Sequence, residues 1–133
     1  MKYLLDTNVC INILKGKSEK IKKKISTLSN GNIVIPSIVR FELYYGAFKS
    51  FKKNKTMTIL NEFLDIFQDI VFDSDCAKLC GELRANLESK GTPIGPYDLI
   101  IASITLFHNF MLVTHNTKEF SRIEKLQIED WEI

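Results

Sequence analysis

Short apolar runs alternate with longer amphipathic stretches along the chain. The runs over residues 2–5, 32–35 and 111–113, and the apolar pair 71–72, predict four strands. Near-continuous apolar runs of this kind are typical of parallel strands that are covered on both faces. The sequence therefore predicts a buried sheet whose strands are far apart along the chain.

The stretches between these runs carry apolar residues at helical spacing. Met57, Leu60 and Leu64, for example, fall three or four residues apart. We expect Ser37 to cap one helix and Gly91 to end another. Six helices are predicted, over residues 8–15, 18–29, 37–48, 53–68, 74–90 and 97–109. Strands that alternate with helices predict a layered α/β fold with a largely parallel sheet.

Composition narrows the class of protein. Hydrophobic residues make up 45% of the 133 positions and charged residues 26%, which is typical of a packed globular domain. No linker, repeat or low-complexity segment interrupts the chain, so we expect a single domain over 1–133. The sequence shows no signal-peptide pattern and no apolar run near the roughly 20 residues that span a bilayer. A cytoplasmic protein that does not enter a membrane is therefore expected.

Charge and cysteine content exclude some kinds of site. The net charge is only +2, but lysines crowd residues 15–24 and 49–55, where they form either solvated helix faces or surfaces that attract phosphate. Three cysteines and two histidines offer neither a disulfide framework nor the ligand spacing of a zinc site. Cys76 and Cys80, one helical turn apart, are interpreted as small core residues.

Acidic residues fall where the predicted strands end or the next helices begin. Asp6 ends the first strand, Glu42 lies in the helix after the second, and Asp98 lies in the first turn of a helix opened by Gly95 and Pro96. In open α/β sheets, ligands bind beyond the carboxyl ends of the strands. We therefore expect these acids to share one edge of the sheet, although each alone could be an ordinary surface or helix-terminal charge.

Such a cluster of carboxylates would either take up protons or bind cations. Two like charges 4 Å apart repel by about 4 kcal/mol at an effective dielectric near 20. Oxygen ligands without histidine or cysteine favour Mg²⁺ or Mn²⁺ over zinc. In phosphoryl chemistry these ions activate water and stabilise the attacking and leaving oxygens. The acids therefore indicate metal-dependent hydrolysis of a phosphodiester.

Four segments carry a resemblance that covers nearly the whole chain in order: LLDTNVCI, FELYYG, PYDLIIASI and LVTHNTKEFSRIEKLQIEDW. They resemble the PIN-domain ribonucleases, and more narrowly the VapC toxins of bacterial toxin–antitoxin pairs. The resemblance implies a three-layer PIN fold with four to five short, mostly parallel strands between helices. The subgroup that the chain resembles most cleaves initiator tRNA in the anticodon loop.

The resemblance implies a role for each matched residue. Asp6, Glu42 and Asp98 match the three acids that carry catalysis and hold the metal ion, with Mg²⁺ expected and Mn²⁺ as the other candidate. Thr7 matches a neighbouring hydroxyl that helps to orient the cluster. The expected products are a 5′-phosphate and a 3′-hydroxyl, made by attack of a water whose proton an acidic side chain accepts.

The fourth acidic position departs from the commonest pattern of the family. Many relatives have an aspartate where this chain has Asn116, and others have an acid at the place of Glu119. An amide can bind a metal or hold a water, but it brings no charge. Glu119 is therefore expected as the fourth catalytic acid, which contacts the metal ligands rather than the metal itself. Asn116 is expected to support it.

The resemblance also implies partners. A cognate VapB-type antitoxin is expected to place its C-terminal tail in a groove of this protein, and operator DNA to be bound only through that antitoxin. The region of Tyr44, Tyr45 and Phe48 is expected to contribute to a homodimer and to this groove. Core packing is the commoner use of such residues.

Two other functions stay open. A haloacid-dehalogenase-type phosphatase also begins with a strand and an aspartate, but its chemistry needs a second acid two residues later, where this chain has Asn8. A non-catalytic RNA-binding or interaction module on the PIN fold is the other. His108 and His115 are interpreted as structural or RNA-contacting, and Arg40 and Arg84 as surface cations or phosphate ligands.

Overall fold

The computed structural model describes residues 1–133 and contains one parallel sheet. Its order is β2-β1-β3-β4, and all three pairings are parallel. Leu4, in the central part of the sheet, lies opposite Val34 on one side and Leu112 on the other. The strands are β1 (Tyr3–Leu5), β2 (Ile33–Val34), β3 (Met111–Val113) and β4 (Ile128–Glu129).

Seven α-helices connect and cover the strands. They are α1 (Thr7–Lys15), α2 (Glu19–Ser26), α3 (Ser37–Lys49), α4 (Lys53–Asp65), α5 (Ser74–Ser89), α6 (Pro96–Phe107) and α7 (Thr117–Phe120), with a 3₁₀ turn at Asn30–Asn32. None of them combines the length and the apolar character that a membrane span requires. The predicted α/β class with a parallel sheet between helices is confirmed.

The core explains why the strands read as continuous apolar runs. Leu4, Leu5, Ile33, Leu112 and Val113 are all completely buried, because helices cover the sheet. A single cluster of 24 buried residues joins the sheet to the helices. Burial of this apolar surface is the main favourable term in folding. Cys10 and Cys76 are buried in it as free thiols, and Cys80 is partly buried.

The prediction of a strand at residues 71–72 was wrong, and the fourth strand is β4. The Ile35 N–H donates to the Gln68 carbonyl and the Ser37 N–H donates to the Ile70 carbonyl, so this segment pairs with the β2 edge before residue 71. Beyond that point the chain leaves the sheet, and its apolar side chains are exposed. The β4 strand is two residues long and partly polar, so its sequence gives little period-2 signal.

Ser37 does not cap α3 as predicted. Pro36 is the N-cap residue, and the Ser37 hydroxyl donates instead to the Asp69 carboxylate at 2.8 Å. Arg40, one turn later, is neither a surface cation nor a phosphate ligand. Its guanidinium donates to backbone carbonyls of β2's end and of α4's end, at distances between 2.7 and 3.3 Å. Arg84 does lie on the surface, paired with Glu88 at 3.0 Å.

Candidate active site

Asp6 follows β1 directly and begins α1. Its Oδ1 accepts the Val9 N–H at 3.0 Å, which makes it the N-cap residue of that helix. The side chain is almost fully buried, with 6% of the residue exposed. Burial raises the pKa of Asp6, while its hydrogen bonds from Thr114 and Val9 act in the opposite direction. The fold therefore fixes the Asp6 carboxylate at a position where water solvates its charge poorly.

Thr114 is the partner that the sequence analysis missed. Leu5 lies opposite Val113 in the parallel pairing of β1 and β3, so the next residues, Asp6 and Thr114, meet at the same edge. The Thr114 hydroxyl donates to Asp6 Oδ2 at 2.5 Å and accepts the Asn116 N–H at 3.0 Å. The available signal in the sequence was a threonine directly after the third predicted strand, because the carboxyl ends of parallel strands meet at one edge of a sheet.

The buried polar residues separate into two kinds. Ser103 and Thr105 donate to carbonyls one turn earlier in their own helix, which is a local and common arrangement. Asp6 and Thr114 bond to each other across 108 residues of sequence. These four are the buried polar side chains of the protein. Only the second pair faces the edge where the acids gather.

Glu42 reaches the same edge from α3. The Thr7 hydroxyl, at the start of α1, donates to Glu42 Oε1 at 2.6 Å. Glu42 also lies close enough to raise the pKa of Asp6 and of Asp98. The structure thus brings together Thr7 and Glu42, which the sequence had placed 35 residues apart.

Asp98 lies in the first turn of α6, after the N-cap Gly95 and Pro96. Its side chain is half-buried. Loss of solvation, together with the negative charges of Glu119, Asp6 and Glu42, raises the pKa of Asp98 to about 6. Without a bound cation, part of this carboxyl group is therefore protonated near neutral pH.

Asn116 and Glu119 have different contacts at the fourth position. Glu119 Oε1 accepts the Gly95 N–H at 3.0 Å, and Oε2 accepts the Asn116 amide at 3.0 Å. These two hydrogen bonds lower the pKa of Glu119. The Asn116 amide also lies 3.5 Å from Asp98 Oδ2. Glu119 therefore fixes the start of the helix that carries Asp98, and Asn116 links the two acids.

These acids have no basic partner. No lysine, arginine or histidine nitrogen lies within 4.0 Å of an Asp6, Glu42, Asp98 or Glu119 oxygen. No three of them bring oxygens within 4.8 Å of one another either. Mg²⁺ usually keeps several of its waters, so it suits an all-oxygen set that is somewhat open. The donors present therefore fit a hydrated divalent cation.

Comparison with known proteins agrees with this geometry. Residues 3–126 match the PIN domain family. Ribonuclease VapC2 of Rickettsia felis is 42% identical over 133 residues, which cover 99% of each chain. The tRNA(fMet)-specific endonuclease VapC of Salmonella typhimurium is 38% identical over 131 residues, 98% of each chain.

The chain belongs to the VapC family of PIN-domain ribonucleases. Two solved structures of this family share its fold. VapBC2 from Rickettsia felis, bound to a DNA fragment from its promoter, has a TM-score of 0.91 at 42% identity, over 98% of this chain and 99% of that one. DNA-bound VapBC from Salmonella typhimurium has a TM-score of 0.92 at 37% identity, over 98% of both chains.

One further group of polar residues in this PIN domain was not predicted as a group. His115 Nδ1 lies 2.9 Å from Asp130 Oδ2 and 3.7 Å from Glu132 Oε2. These three side chains, unlike the acids described above, do bring their nitrogen and oxygens within 4.8 Å of one another. Because Asp130 is a direct acceptor, it and Glu132 raise the pKa of His115. The His115 nitrogen that faces the two acids is thus already engaged in a hydrogen bond.

Proposed function

We propose that this chain is the toxin of a VapBC-type toxin–antitoxin pair and acts as a metal-dependent endoribonuclease within one PIN domain. The observation that carries the proposal is the convergence of Asp6, Glu42 and Asp98 at one sheet edge with no basic side chain beside them. Acids with strongly perturbed pKa values concentrate at functional sites. A set of acids without cations has little structural use, because their repulsion opposes folding.

Asp6, Asp98 and Glu42 are the residues that would hold Mg²⁺ or Mn²⁺. A divalent ion held there would supply polarisation of the scissile phosphate and a lowered pKa of a water molecule. The protein's own contribution is to fix these oxygens before substrate arrives. Thr114 and the Val9 N–H orient Asp6, and Thr7 orients Glu42.

The acids are also the groups that would remove a proton from the attacking water. An acidic side chain of this cluster would accept that proton as a general base. Glu119 and Asn116 hold the start of α6 and so set the position of Asp98. We expect a 5′-phosphate and a 3′-hydroxyl, because water rather than the 2′-hydroxyl is the nucleophile.

The proposed substrate is initiator tRNA cut in the anticodon loop, and the proposed place of action is the cytoplasm. Two relatives that cover 98% of this chain are named tRNA(fMet)-specific endonucleases. Single-stranded loops are the usual targets of sequence-specific RNA recognition, because their bases are accessible.

A cleavage assay tests this function. Purified protein is incubated with full-length initiator tRNA in Mg²⁺, in Mn²⁺ and in excess EDTA, and the ends of the products are mapped. We expect one discrete cut, in metal only, with 5′-phosphate ends. Cyclic-phosphate ends or full activity in EDTA would contradict the mechanism. Binding without any cleavage would support the non-catalytic module instead.

A groove between α1, α3 and α4 is the proposed site for the antitoxin tail. It has a volume of about 470 Å³, is lined mainly by apolar side chains such as Ile11, Leu14 and Leu60, and includes Glu42. An occupant would therefore lie against the acidic site. The solved relatives from Rickettsia felis and Salmonella typhimurium are VapBC complexes bound to DNA. We propose that any operator DNA is bound only through the antitoxin.

Two glycines offer a matched test of this groove. Gly46 lines it, and a Cβ atom added there would meet no atom within 4 Å. Gly81, on α5, has equally open surroundings. Gly46→Arg should prevent co-purification with the antitoxin encoded beside the gene, whereas Gly81→Arg should not. Normal co-purification of Gly46→Arg would place the tail elsewhere.

A homodimer is proposed through the outer face of α3. Phe41, Tyr45 and Phe48 are exposed along it, and Tyr97 packs edge-on against Phe41 at 5.7 Å. A contiguous exposed aromatic surface of this kind is typical of a protein interface. Sedimentation equilibrium of Phe48→Glu against the wild type tests it, and a dimer of unchanged strength would exclude this face.

A further inference from the structure

A row of lysines lies along one face of α2. The helix buries Ile21 and presents Lys20, Lys23 and Lys24 together, at spacings of three and four residues. Residues 15–24 hold six lysines and one glutamate, which gives them a net charge of +5 although the whole chain carries only +2. Positive charge is therefore concentrated here, and the rest of the protein is slightly acidic.

Two of these lysines have no acidic partner. Lys24 lies 3.9 Å from Glu129, but no carboxylate oxygen lies within 4.0 Å of Lys20 or Lys23. Both are exposed. Their charges are thus available to an anion from outside the protein.

The lysine face forms one side of a shallow, open groove. The groove has a volume of about 480 Å³, and its other wall is the end of the chain, including Glu129, Asp130 and Trp131. Trp131 is buried, and its indole N–H donates to Glu129 at 2.9 Å. This wall is therefore held in place by packing.

His115 connects one wall of this groove with the residues of the acidic site. Asp130, in the groove wall, accepts from His115 Nδ1 at 2.9 Å. His115 stands between Thr114, the partner of Asp6, and Asn116, the neighbour of Asp98. Its Nε2 has no partner in the protein, and 62% of the side chain is exposed. A ring nitrogen of His115 thus faces solvent beside the residues of the acidic site.

The charges around His115 favour its protonated form. Asp130, Glu132 and Asp6 all raise the pKa of His115. With Nδ1–H committed to Asp130, only the imidazolium also carries a proton on Nε2. When His115 is protonated, its charge lies beside a site that repels RNA phosphates in the absence of metal.

We propose that the groove between α2 and the end of the chain binds the backbone of the RNA substrate, with Lys20 and Lys23 on its phosphates and His115 contacting the strand where it enters the acidic site. This proposal rests on the proposed ribonuclease function. Phosphate contacts of this kind position a nucleic acid and make its binding depend on salt.

Binding of fluorescent full-length initiator tRNA in EDTA tests the groove, because no cleavage is expected there. We expect the double variant Lys20→Ala/Lys23→Ala to weaken binding about tenfold at low salt. Its slope of log Kd against log salt should fall by about one to two, since each phosphate contact contributes roughly one. The matched control is Lys90→Ala/Lys125→Ala, which removes two equally unpaired lysines from a different groove beside α5. This control should stay within about twofold of the wild type.

A pair of variants tests the entry point. His115→Gln can still donate to Asp130 but has no charge, so binding should weaken about threefold; His115→Arg keeps a cation and should bind like the wild type. If both variants bind tRNA more weakly than the wild type, or if neither does, the charge of His115 does not contact the RNA strand.

The outcomes separate this proposal from the function on which it rests. If both lysine double variants weaken binding equally, or neither does, the groove is not the RNA site, even if the wild type cleaves tRNA in Mg²⁺. If only the α2 variant weakens binding but the wild type never cleaves, the groove stands and the ribonuclease function fails.

Discussion

Arg40 and Asp6 are both charged residues removed from water beside the same sheet, and the fold treats them in opposite ways. Arg40 has 16% of its side chain exposed and donates to three backbone carbonyls, so its donors are largely satisfied. Asp6 accepts two hydrogen bonds but has other carboxylates as its charged neighbours. A charge whose partners come from the fold is part of the structure, whereas one that lacks a counter-charge marks a site.

Among the variants that test this comparison, Asp6→Asn should have the largest effect on the cleavage rate. Asparagine can still cap α1, because its side-chain oxygen accepts the Val9 N–H as well as aspartate does. We therefore expect the fold to be kept and cleavage to fall more than about 100-fold, beyond the range seen for residues that only support metal ligands. Circular dichroism and single-turnover cleavage measure the two effects. Cleavage at the wild-type rate would remove Asp6 from the site.

Arg40→Met should show the reverse pattern. Removal of the guanidinium takes its hydrogen bonds from three carbonyls, of which that of Leu64 keeps the Phe67 N–H, and takes the ion-pair partner from Asp69. It should lower the free energy of unfolding by about 2–3 kcal/mol. Activity per folded molecule should be unchanged at low temperature, since Arg40 contacts none of the acids of the site. Urea unfolding and cleavage rates check this. If Arg40→Met lost cleavage without losing stability, Arg40 would belong to the functional site rather than to the structural core.

Thr114→Val tests whether Asp6 needs its hydroxyl partner. The substitution keeps the shape of the buried side chain but removes the donor to Asp6 and the acceptor of the Asn116 N–H. We expect cleavage to fall about tenfold, because partners that orient metal ligands typically contribute 10–100-fold. Thr114→Ser, which retains the hydroxyl, is the control. Equal rates for both variants would mean that the hydrogen bond is dispensable.

Asp98→Asn should have the smallest effect on stability, and its sign depends on pH. The pKa of Asp98 is raised to about 6 in the folded protein, so the native state binds more protons than the unfolded one between pH 4 and 6. Stability contributed by this group therefore falls as pH rises through that range. In EDTA at pH 7.5 we expect the variant to be more stable by about 1 kcal/mol, after allowance for solvent screening, and equal to the wild type at pH 4.

Thermal unfolding in EDTA at the two pH values measures this difference, which corresponds to roughly 3 °C in Tm. Excess Mg²⁺ should stabilise the wild type more than the variant, because binding to the native state alone raises stability. A variant less stable than the wild type in EDTA at pH 7.5 would mean that Asp98 has a favourable partner.

Most of the fold was readable from local patterns. The three strands at residues 3–5, 33–34 and 111–113 and the six longer helices follow from apolar runs and helical spacing. The errors fall at edges, where β4 is short and polar and where residues 71–72 are apolar but exposed. Pairing at a sheet edge depends on which segments meet, and apolar character alone does not report that.

Local sequence patterns were enough to show which residue types could do the chemistry: acids at strand and helix ends, with no histidine or cysteine set to compete for a metal. These patterns could not determine the partners of the acids. The parallel register that puts Thr114 beside Asp6, and the return of the chain's end that puts Asp130 beside His115, join residues far apart in sequence. Such contacts arise only when the sheet and its covering helices pack, and they decide which charges are satisfied and which are left for a ligand.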